Sequence, residues 1–316
     1  MDAAGGQMGG AGRLLKELHR YLKDSGRQDV LLLGAARSLS PSWLISRELR
    51  AAMQHPEATV ALNNVSFVSA GRWRTVLLRN ALHFPLPGED HLLSSILSRR
   101  VAAQARVVRA AVRRADLVVV PASSMAARVV HWVPRSREKI AVHPHPVSTR
   151  SVTAERIPGR IVCPVLLEPW KHMGPRLQLL IGACSRVRAA GTPVEIVVTA
   201  TEEELRRESV TVGAVTSTGR LSVEQMEKLL GSAQVVYYPT EIESFGYPLA
   251  EARANGQPVL ALNNAHNTEV AGSALMGFEP DVDSLTQAVR RSLAAHVTPS
   301  IVRNANDYFQ RLLEPM

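Results

Sequence analysis

Only two cysteines, Cys163 and Cys184, occur in 316 residues. They lie outside any CxxC pattern, which argues against a disulfide framework or a structural zinc site and for two small buried hydrophobes in a reducing compartment. Aromatic residues make up 4% of the chain. No aromatic platform or recognised reading motif accompanies the basic charge, so DNA and RNA binding are not expected. No run of eighteen apolar residues is present, and no membrane-spanning helix is expected. The opening MDAAGGQMGG has neither the basic n-region nor the apolar h-region of a secretory signal. A cytoplasmic location follows, with membrane association left open. Lysine is scarce: Lys16, Lys23, Lys139, Lys171 and Lys228 are the only ones among 37 basic residues, a usage that fits a GC-rich bacterial source.

What is present describes a globular α/β protein. Hydrophobic residues account for 46% and mean hydropathy is −0.02. A chain of this length suits two domains, each large enough to bury its own core. The net charge of +9 is unevenly spread: residues 1–158 carry 23 Lys and Arg against 11 Asp and Glu, while residues 159–316 carry 14 against 17. The basic first half could meet nucleic acid, anionic lipid or a phosphorylated substrate, and charge alone does not choose.

The stretch from Gln234 to Asn264 organises the rest. An apolar run (Val235 to Tyr238) is followed by a Pro-Thr turn, two acids, a glycine turn, a helix of about ten residues and a second apolar run (Val259 to Leu262), with Gly256-Gln257-Pro258 stopping the helix. Glu243 falls in the loop at the strand's C-terminal end, and Glu251 one turn into a helix that starts near Tyr247-Pro248. Glycine lets backbone approach a ligand, and first-turn N–H groups lack helical partners. Ser244, Phe245, Gly246 and Tyr247 can therefore present donors to a phosphate between two carboxylates. A nucleotide sugar, with hydroxyls at both ends of a diphosphate, has the matching shape. The plainer alternative is an ordinary αβ unit with solvated glutamates.

The segment Glu243-Ser-Phe-Gly-Tyr-Pro-Leu-Ala-Glu251, followed by Ala-Arg-Ala-Asn-Gly-Gln-Pro-Val, resembles the E-x7-E signature of the retaining glycosyltransferases of family 4, which have the GT-B fold. That resemblance implies two Rossmann-like domains facing a cleft: an acceptor-binding domain over 1–150, a nucleotide-sugar-binding domain over 151–300, and a C-terminal helix over 301–316 crossing back to the first. It implies sugar transfer from a nucleotide donor with retention and without a metal or cofactor. Glu251 would hold the ribose hydroxyls, Glu243 the donor sugar, the backbone of Ser244 to Tyr247 the sugar and phosphates, and Lys171 the diphosphate. The family usually has an arginine about six residues before that lysine. Val165 occupies its register, and whether Arg176 compensates is not legible in sequence.

In the first half, glycines at 5, 6, 9, 10 and 12 precede a helical pattern of Leu14, Leu15, Leu18 and Leu22. A loop of this kind opening a helix cradles phosphate, and by resemblance Gly9 and Gly10 reach the donor. The strand that should precede it is not visible: either the start lies upstream of Met1 or the chain is shortened, or the glycines are a disordered tail. Asp29 to Gly34 reads as a strand, Ser42 to His55 as a helix, and Val60 to Leu62 and Thr75 to Leu78 as strands. In the family a His ends the last of these and faces the donor sugar; here Asn80 or Arg79 takes that register and His83 lies one turn on, so Asn80 and His83 are the candidates.

The pattern from Leu97 to Ala115 predicts a helix with Arg99, Arg100, Arg106, Arg109, Arg113 and Arg114 on one side and Leu97, Val101, Ala105, Val108 and Val112 on the other. A solvated arginine face is the plainer reading; docking to an anionic membrane or a phosphorylated acceptor is the sharper one. Asp116 to Pro121 is a strand, and His143-Pro-His145-Pro an extended linker rather than a metal pair. The interdomain boundary is expected near Ser148 to Pro158. Beyond it, strands alternate with helices, including a helix capped by Ser222 with Gln225 three on. Asp281-Val-Asp283 has the look of a metal-binding DxD but sits at a helix start, where acids suit the helix dipole. The partners implied are a nucleotide sugar and an acceptor that is a small molecule, a glycan or a lipid carrier. Rival readings are a non-catalytic GT-B-fold protein that supports a partner enzyme, and an epimerase or phosphorylase of related fold.

Overall fold

The structure is a computed structural model that describes residues 1–5, 9–89, 99–147, 154–164, 167, 171–301 and 303–314. The chain divides into two compact units: Met1–Val147 with Glu243–Phe245 and Val302–Met316, and Ser148–Ile242 with Gly246–Ile301. Of residues 148–158, where the sequence suggested the interdomain boundary, 148–153 lie outside the described residues.

The first unit is built on a parallel sheet of β1 (Ala58–Ala61), β2 (Trp73–Leu77), β3 (Leu117–Val120) and β4 (Ile140–Val142), paired in that order. Leu117 to Val120 are all buried, the continuous apolar run expected of a parallel strand covered on both faces. Two further segments extend the sheet past β1. Asp2 forms parallel bridges to both Ala61 and Leu33. Its N–H donates to the Val60 carbonyl at 2.8 Å, and its carbonyl accepts from Leu62 N at 2.9 Å. The strand that the sequence hid is therefore represented by Met1 to Ala3, whose polar Asp2 and short length erase the apolar run that signals a strand. The expected strand at Asp29 to Gly34 reduces to the bridge at Leu33.

Asp2 is fully buried, and four groups satisfy its carboxylate. The Ala4 N–H (3.0 Å) and Trp43 Nε1 (3.1 Å) donate to one oxygen, and Asn63 Nδ2 (2.6 Å) and Arg47 Nη1 to the other. Arg47, 1% exposed, also donates to the carbonyls of Val65 (2.9 Å) and Ser66 (2.7 Å). This pair sets the face of α2 (Pro41–Ala52): Trp43, Arg47 and Ala51 turn inward at helical spacing, leaving Ile45, Leu49 and Met53 outside at 64–69% exposure.

Helix α1 (Gly9–Ser25) buries Leu14, Leu18 and Tyr21. They share a core with Tyr308, Phe309 and Leu312 of the C-terminal helix Ala305–Leu313, and the Tyr21 and Phe309 rings lie 5.5 Å apart. The basic helix, α3, spans Arg99–Arg114, with 97 and 98 outside the described residues. Ala105, Val108, Ala111 and Val112 are buried, and Arg99, Arg106, Arg113 and Arg114 are exposed. Arg109 departs from the expected solvated row. Its guanidinium lies 3.4 Å over the ring of Trp132, at the end of α4 (Ser123–Trp132), and donates to the His83 carbonyl from two nitrogens at 3.0 and 2.9 Å.

The second unit is a six-stranded parallel sheet of β5 (Ile157–Cys163), β6 (Glu195–Val198), β7 (Thr216–Ser217), β8 (Ala233–Tyr237), β9 (Val259–Leu262) and β10 (Leu275–Phe278), in the order β10-β9-β8-β5-β6-β7. Its helices are α5 (Met173–Ala189), α6 (Glu202–Arg207), α7 (Val223–Ser232), α8 (Tyr247–Ala254), α9 (Ala265–Ala271) and α10 (Val282–Ala294). Ser222 and Gln225 form the anticipated capping box on α7. Asp281 caps α10 through Ser284 N at 2.8 Å, and Asp283 pairs with Arg186. Val212–Ala214 takes a 3-10 turn, and the short edge strand follows it at Thr216–Ser217. Cys163 and Cys184 are free and buried in this core, and burial pushes the Cys184 thiol up to about 12.

Candidate functional site

In an open α/β sheet, ligands bind beyond the carboxyl ends of the strands where the chain's progression reverses. In the second unit that place is between β5 and β8: from β5 the chain proceeds outward to β6 and β7, then returns to β8 on the other side. The connection after β5 leads to Lys171 and α5, and the one after β8 runs from Tyr238 to Gly246 and α8.

The β8 connection is shaped by Gly246. It has φ +77, and an added Cβ would stand 3.0 Å from Leu249 Cδ1 and 3.4 Å from the Tyr238 ring, so the left-handed turn into α8 requires glycine. Tyr247 and Pro248 open the helix, as the sequence indicated, and Gly246 O accepts from Leu249 N at 3.0 Å. Glu251 lies one turn in, half-buried. At the far end Gln257, 1% exposed, donates to the carbonyls of Leu230 (2.8 Å) and Ala233 (2.7 Å), locking the helix exit against the start of β8.

Lys171 directs Nζ to Tyr238 Oη at 3.5 Å, with the ammonium 5.5 Å from that ring's centre. Arg176, in the first turn of α5, pairs with Glu241, and its carbonyl accepts from Tyr237 Oη at 2.8 Å. The end of β8 thus gathers a lysine, an arginine, an acid and two tyrosines beside the start of a seventeen-residue helix. Such a place suits an anion. Glu241 was not singled out from the sequence, and Arg176 was named there only as a residue that could compensate for the arginine missing at Val165; its signal was a second cation at a helix start that has no acid in its first turn. Val165 lies outside the described residues, as do Glu168, Pro169 and Trp170.

Glu243 to Phe245 belong to the first unit. Ser244 Oγ donates to the Arg79 carbonyl at 2.7 Å, and the Phe245 ring meets that of His145 edge-on at 5.1 Å. His145, read as part of a linker, is fully enclosed, with Nδ1 3.3 Å from Tyr308 Oη. Burial, then Arg79, lowers its pKa to about 3. The Ser244 hydroxyl is therefore engaged, which leaves Ser244 its backbone to present to a ligand.

Asn80 and His83 are brought together at the end of β2. Asn80 caps a 3-10 turn through Leu82 N at 3.0 Å, and its Nδ2 is 3.5 Å from His83 Nε2. His83 is buried, and burial followed by the charge of Arg109 lowers its pKa to about 4, so it is neutral at pH 7. Gly9 and Gly10 open α1, Gly9 at φ +58 with open space where a Cβ would stand. They follow the Asp2 segment, which borders the point where the first sheet's progression reverses. Gly6 lies outside the described residues.

Known proteins share the fold of this chain and part of its sequence. Residues 171–295 match the family model described as "Glycosyl transferases group 1". An 82-residue stretch is 39% identical to the MMP alpha-(1->4)-mannosyltransferase of Mycolicibacterium hassiacum, covering 25% of this chain and 20% of that protein. The lipopolysaccharide outer core galactosyltransferase WaaB in its apo form superposes with a TM-score of 0.63 at 12% identity, over 99% of this chain and 97% of that one. Sucrose-phosphate synthase from Thermosynechococcus elongatus gives 0.64 at 14% identity, over 96% and 89%. The chain has the GT-B fold of these neighbours, two Rossmann-like units, and over residues 171–295 it matches the group 1 glycosyltransferases in sequence.

Proposed function

We propose that this protein is a glycosyltransferase that moves a sugar from a nucleotide-sugar donor to an acceptor hydroxyl with retention of anomeric configuration. The observation that carries the reading is the gathering of Lys171, Arg176 and the Tyr238–Tyr247 connection at the reversal point of the second sheet, inside the stretch that matches group 1 glycosyltransferases. In the transfer the bond from the anomeric carbon to the diphosphate breaks, a bond to the acceptor oxygen forms, and the proton of the acceptor hydroxyl passes to the departing diphosphate. The leaving diphosphate gains charge as this happens. Preorganised positive groups stabilise it most effectively, and Lys171 with the helix starts of α5 and α8 supply them without reorganisation. On this reading the reaction needs no metal. Glu251 holds the ribose hydroxyls and Glu243 the donor sugar.

The test is a melting-temperature panel with UDP, GDP, ADP and dTDP on the full chain and on Glu251→Ala. A ligand at a hundred times its Kd adds about 2.7 kcal/mol of native stability, a resolvable shift. A shift with one nucleotide that disappears in Glu251→Ala supports the donor site and names the base. No shift with any of the four removes the reading, and a shift without turnover on any donor would favour a non-catalytic partner protein. The exposed arginines of α3, Arg99, Arg106, Arg113 and Arg114, support a docking role at an anionic membrane. Sedimentation with anionic vesicles should fall when Arg106 and Arg113 become Glu; unchanged binding would reject this part.

A further inference from the structure

A helix N-terminus carries partial positive charge, and acids are the residues that stabilise it. Helix α5 is built the other way: Lys171 precedes it, Arg176 lies in its first turn, and no acid is present in that turn. Burial adds to the cost of the Arg176 guanidinium and lowers its pKa. The compensating charge comes from the connection after β8, where Glu241 pairs with Arg176. Both cations are anchored to the end of β8, Lys171 through Tyr238 Oη at 3.5 Å and Arg176 through its carbonyl to Tyr237 Oη at 2.8 Å. Two buried polar atoms adjoin them in sequence: Thr240 Oγ1 just before Glu241 and His172 Nε2 just after Lys171. Neither has a hydrogen-bond partner among the described residues. His172 itself is held at φ +46, a conformation that a non-glycine residue adopts at a cost.

These features fit a subsite for an anion with two phosphate groups. Lysine acts as a point charge, whereas arginine presents a planar fork to a phosphate. Within the pair Glu241 is the more exposed partner, 27% against 15%, so the acid rather than the guanidinium gives way on exchange. We propose that Arg176 is the second cation of the donor-diphosphate subsite and that Glu241 occupies its fork until the diphosphate displaces it. The inference rests on the donor-site reading above. It assigns to α5 the charge that the register of Val165 does not supply, and it makes Glu241 a positioning residue that lowers the apparent donor affinity.

The experiment is a calorimetric titration of the full chain with UDP, GDP, ADP and dTDP, each beside its monophosphate, on wild type, Arg176→Met, Glu241→Gln and the double variant. For the base that binds, Arg176→Met should weaken the diphosphate roughly tenfold or more and the monophosphate much less. Glu241→Gln should tighten the diphosphate about threefold or more, and the gain should vanish in the double variant. A purely structural Glu241 would instead weaken binding on substitution. Equal losses of mono- and diphosphate in Arg176→Met, or weaker diphosphate binding in Glu241→Gln, overturn the inference and leave the donor site standing. If wild type binds none of the nucleotides, the donor reading fails and the inference fails with it. If Arg176→Met does not fold, Glu241→Gln decides the question alone.

Discussion

Replacing Arg47 with Met should unfold the first unit far more readily than any surface change. Arg47 and Asp2 are 1% and 0% exposed, so the substitution leaves a buried carboxylate without its counter-charge and strips the Val65 and Ser66 carbonyls of their donor. Breaking a buried pair by removing one partner costs about 3–5 kcal/mol. Trp43, Asn63 and the Ala4 N–H still serve Asp2 and keep the loss within that range. Against a total stability of about 5–15 kcal/mol this is a large fraction. Urea titration followed by tryptophan fluorescence reads it directly, because Trp43, Trp73 and Trp132 all belong to the first unit and Trp43 touches Asp2 itself. With a slope of roughly 1–3 kcal/mol per molar urea, the midpoint should fall by more than about 1 M. Asp2→Asn combined with Arg47→Met should cost less than the two single changes added, since neither leaves a charge behind in the pair. A midpoint that moves by less than about 0.3 M, or strict additivity in the double variant, would refute the reasoning.

Acid should weaken the same unit before it affects the carboxylates. His83 and His145 titrate near 4 and 3 in the folded chain against about 6.5 unfolded, so between those values the unfolded state binds more protons. Stability is then fully present above pH 6.5 and declines as pH falls toward 4 and 3, by on the order of 3 kcal/mol for His83 alone. Melting temperatures from pH 7 to 4 should slope downward, less steeply in His145→Phe; an identical slope would exclude His145 as a contributor. Gly174→Ala should lower the melting temperature of the second unit, because its Cβ would fall 2.4 Å from the Glu208 carbonyl oxygen. The overpacking costs about 1–3 kcal/mol, partly offset by about 1 kcal/mol of helix propensity, and a neutral or stabilised variant would show that α5 and Glu208 separate freely. Lys171→Ala should reduce kcat/KM for the donor roughly 10- to 100-fold; undiminished turnover would remove Lys171 from the diphosphate site.

The second sheet was largely legible in the sequence. Its central strands β8 and β9 are apolar runs with all but one residue buried, its helices carry local caps such as Ser222 with Gln225, and Gly246 and Gly256 mark turns that only positive φ allows. These are local signals, set within a few residues of backbone. The Glu243 to Glu251 stretch was legible for the same reason, since strand end, glycine turn and helix start follow one another along the chain. What the sequence could not carry was pairing between distant residues. Asp2 reads as a charged residue in a tail until the sheet places it between Leu33 and Ala61, with Arg47 and Asn63 closing over it. That single pair orients α2, whose apolar Ile45, Leu49 and Met53 face outward while Arg47 turns inward to its buried partner. His145 became a core residue by the same route, enclosed by Tyr308 and Phe245 from 100 or more residues away. Arg176 and Glu241 likewise meet only because β8 and β5 are neighbours in the sheet. Amino-acid order alone determined the periodicities, caps and turns, because these depend on backbone sterics and local hydrogen bonds. Tertiary structure alone decided which charges are buried and which cations converge, because a charge is tolerated inside only where distant chain brings it a partner.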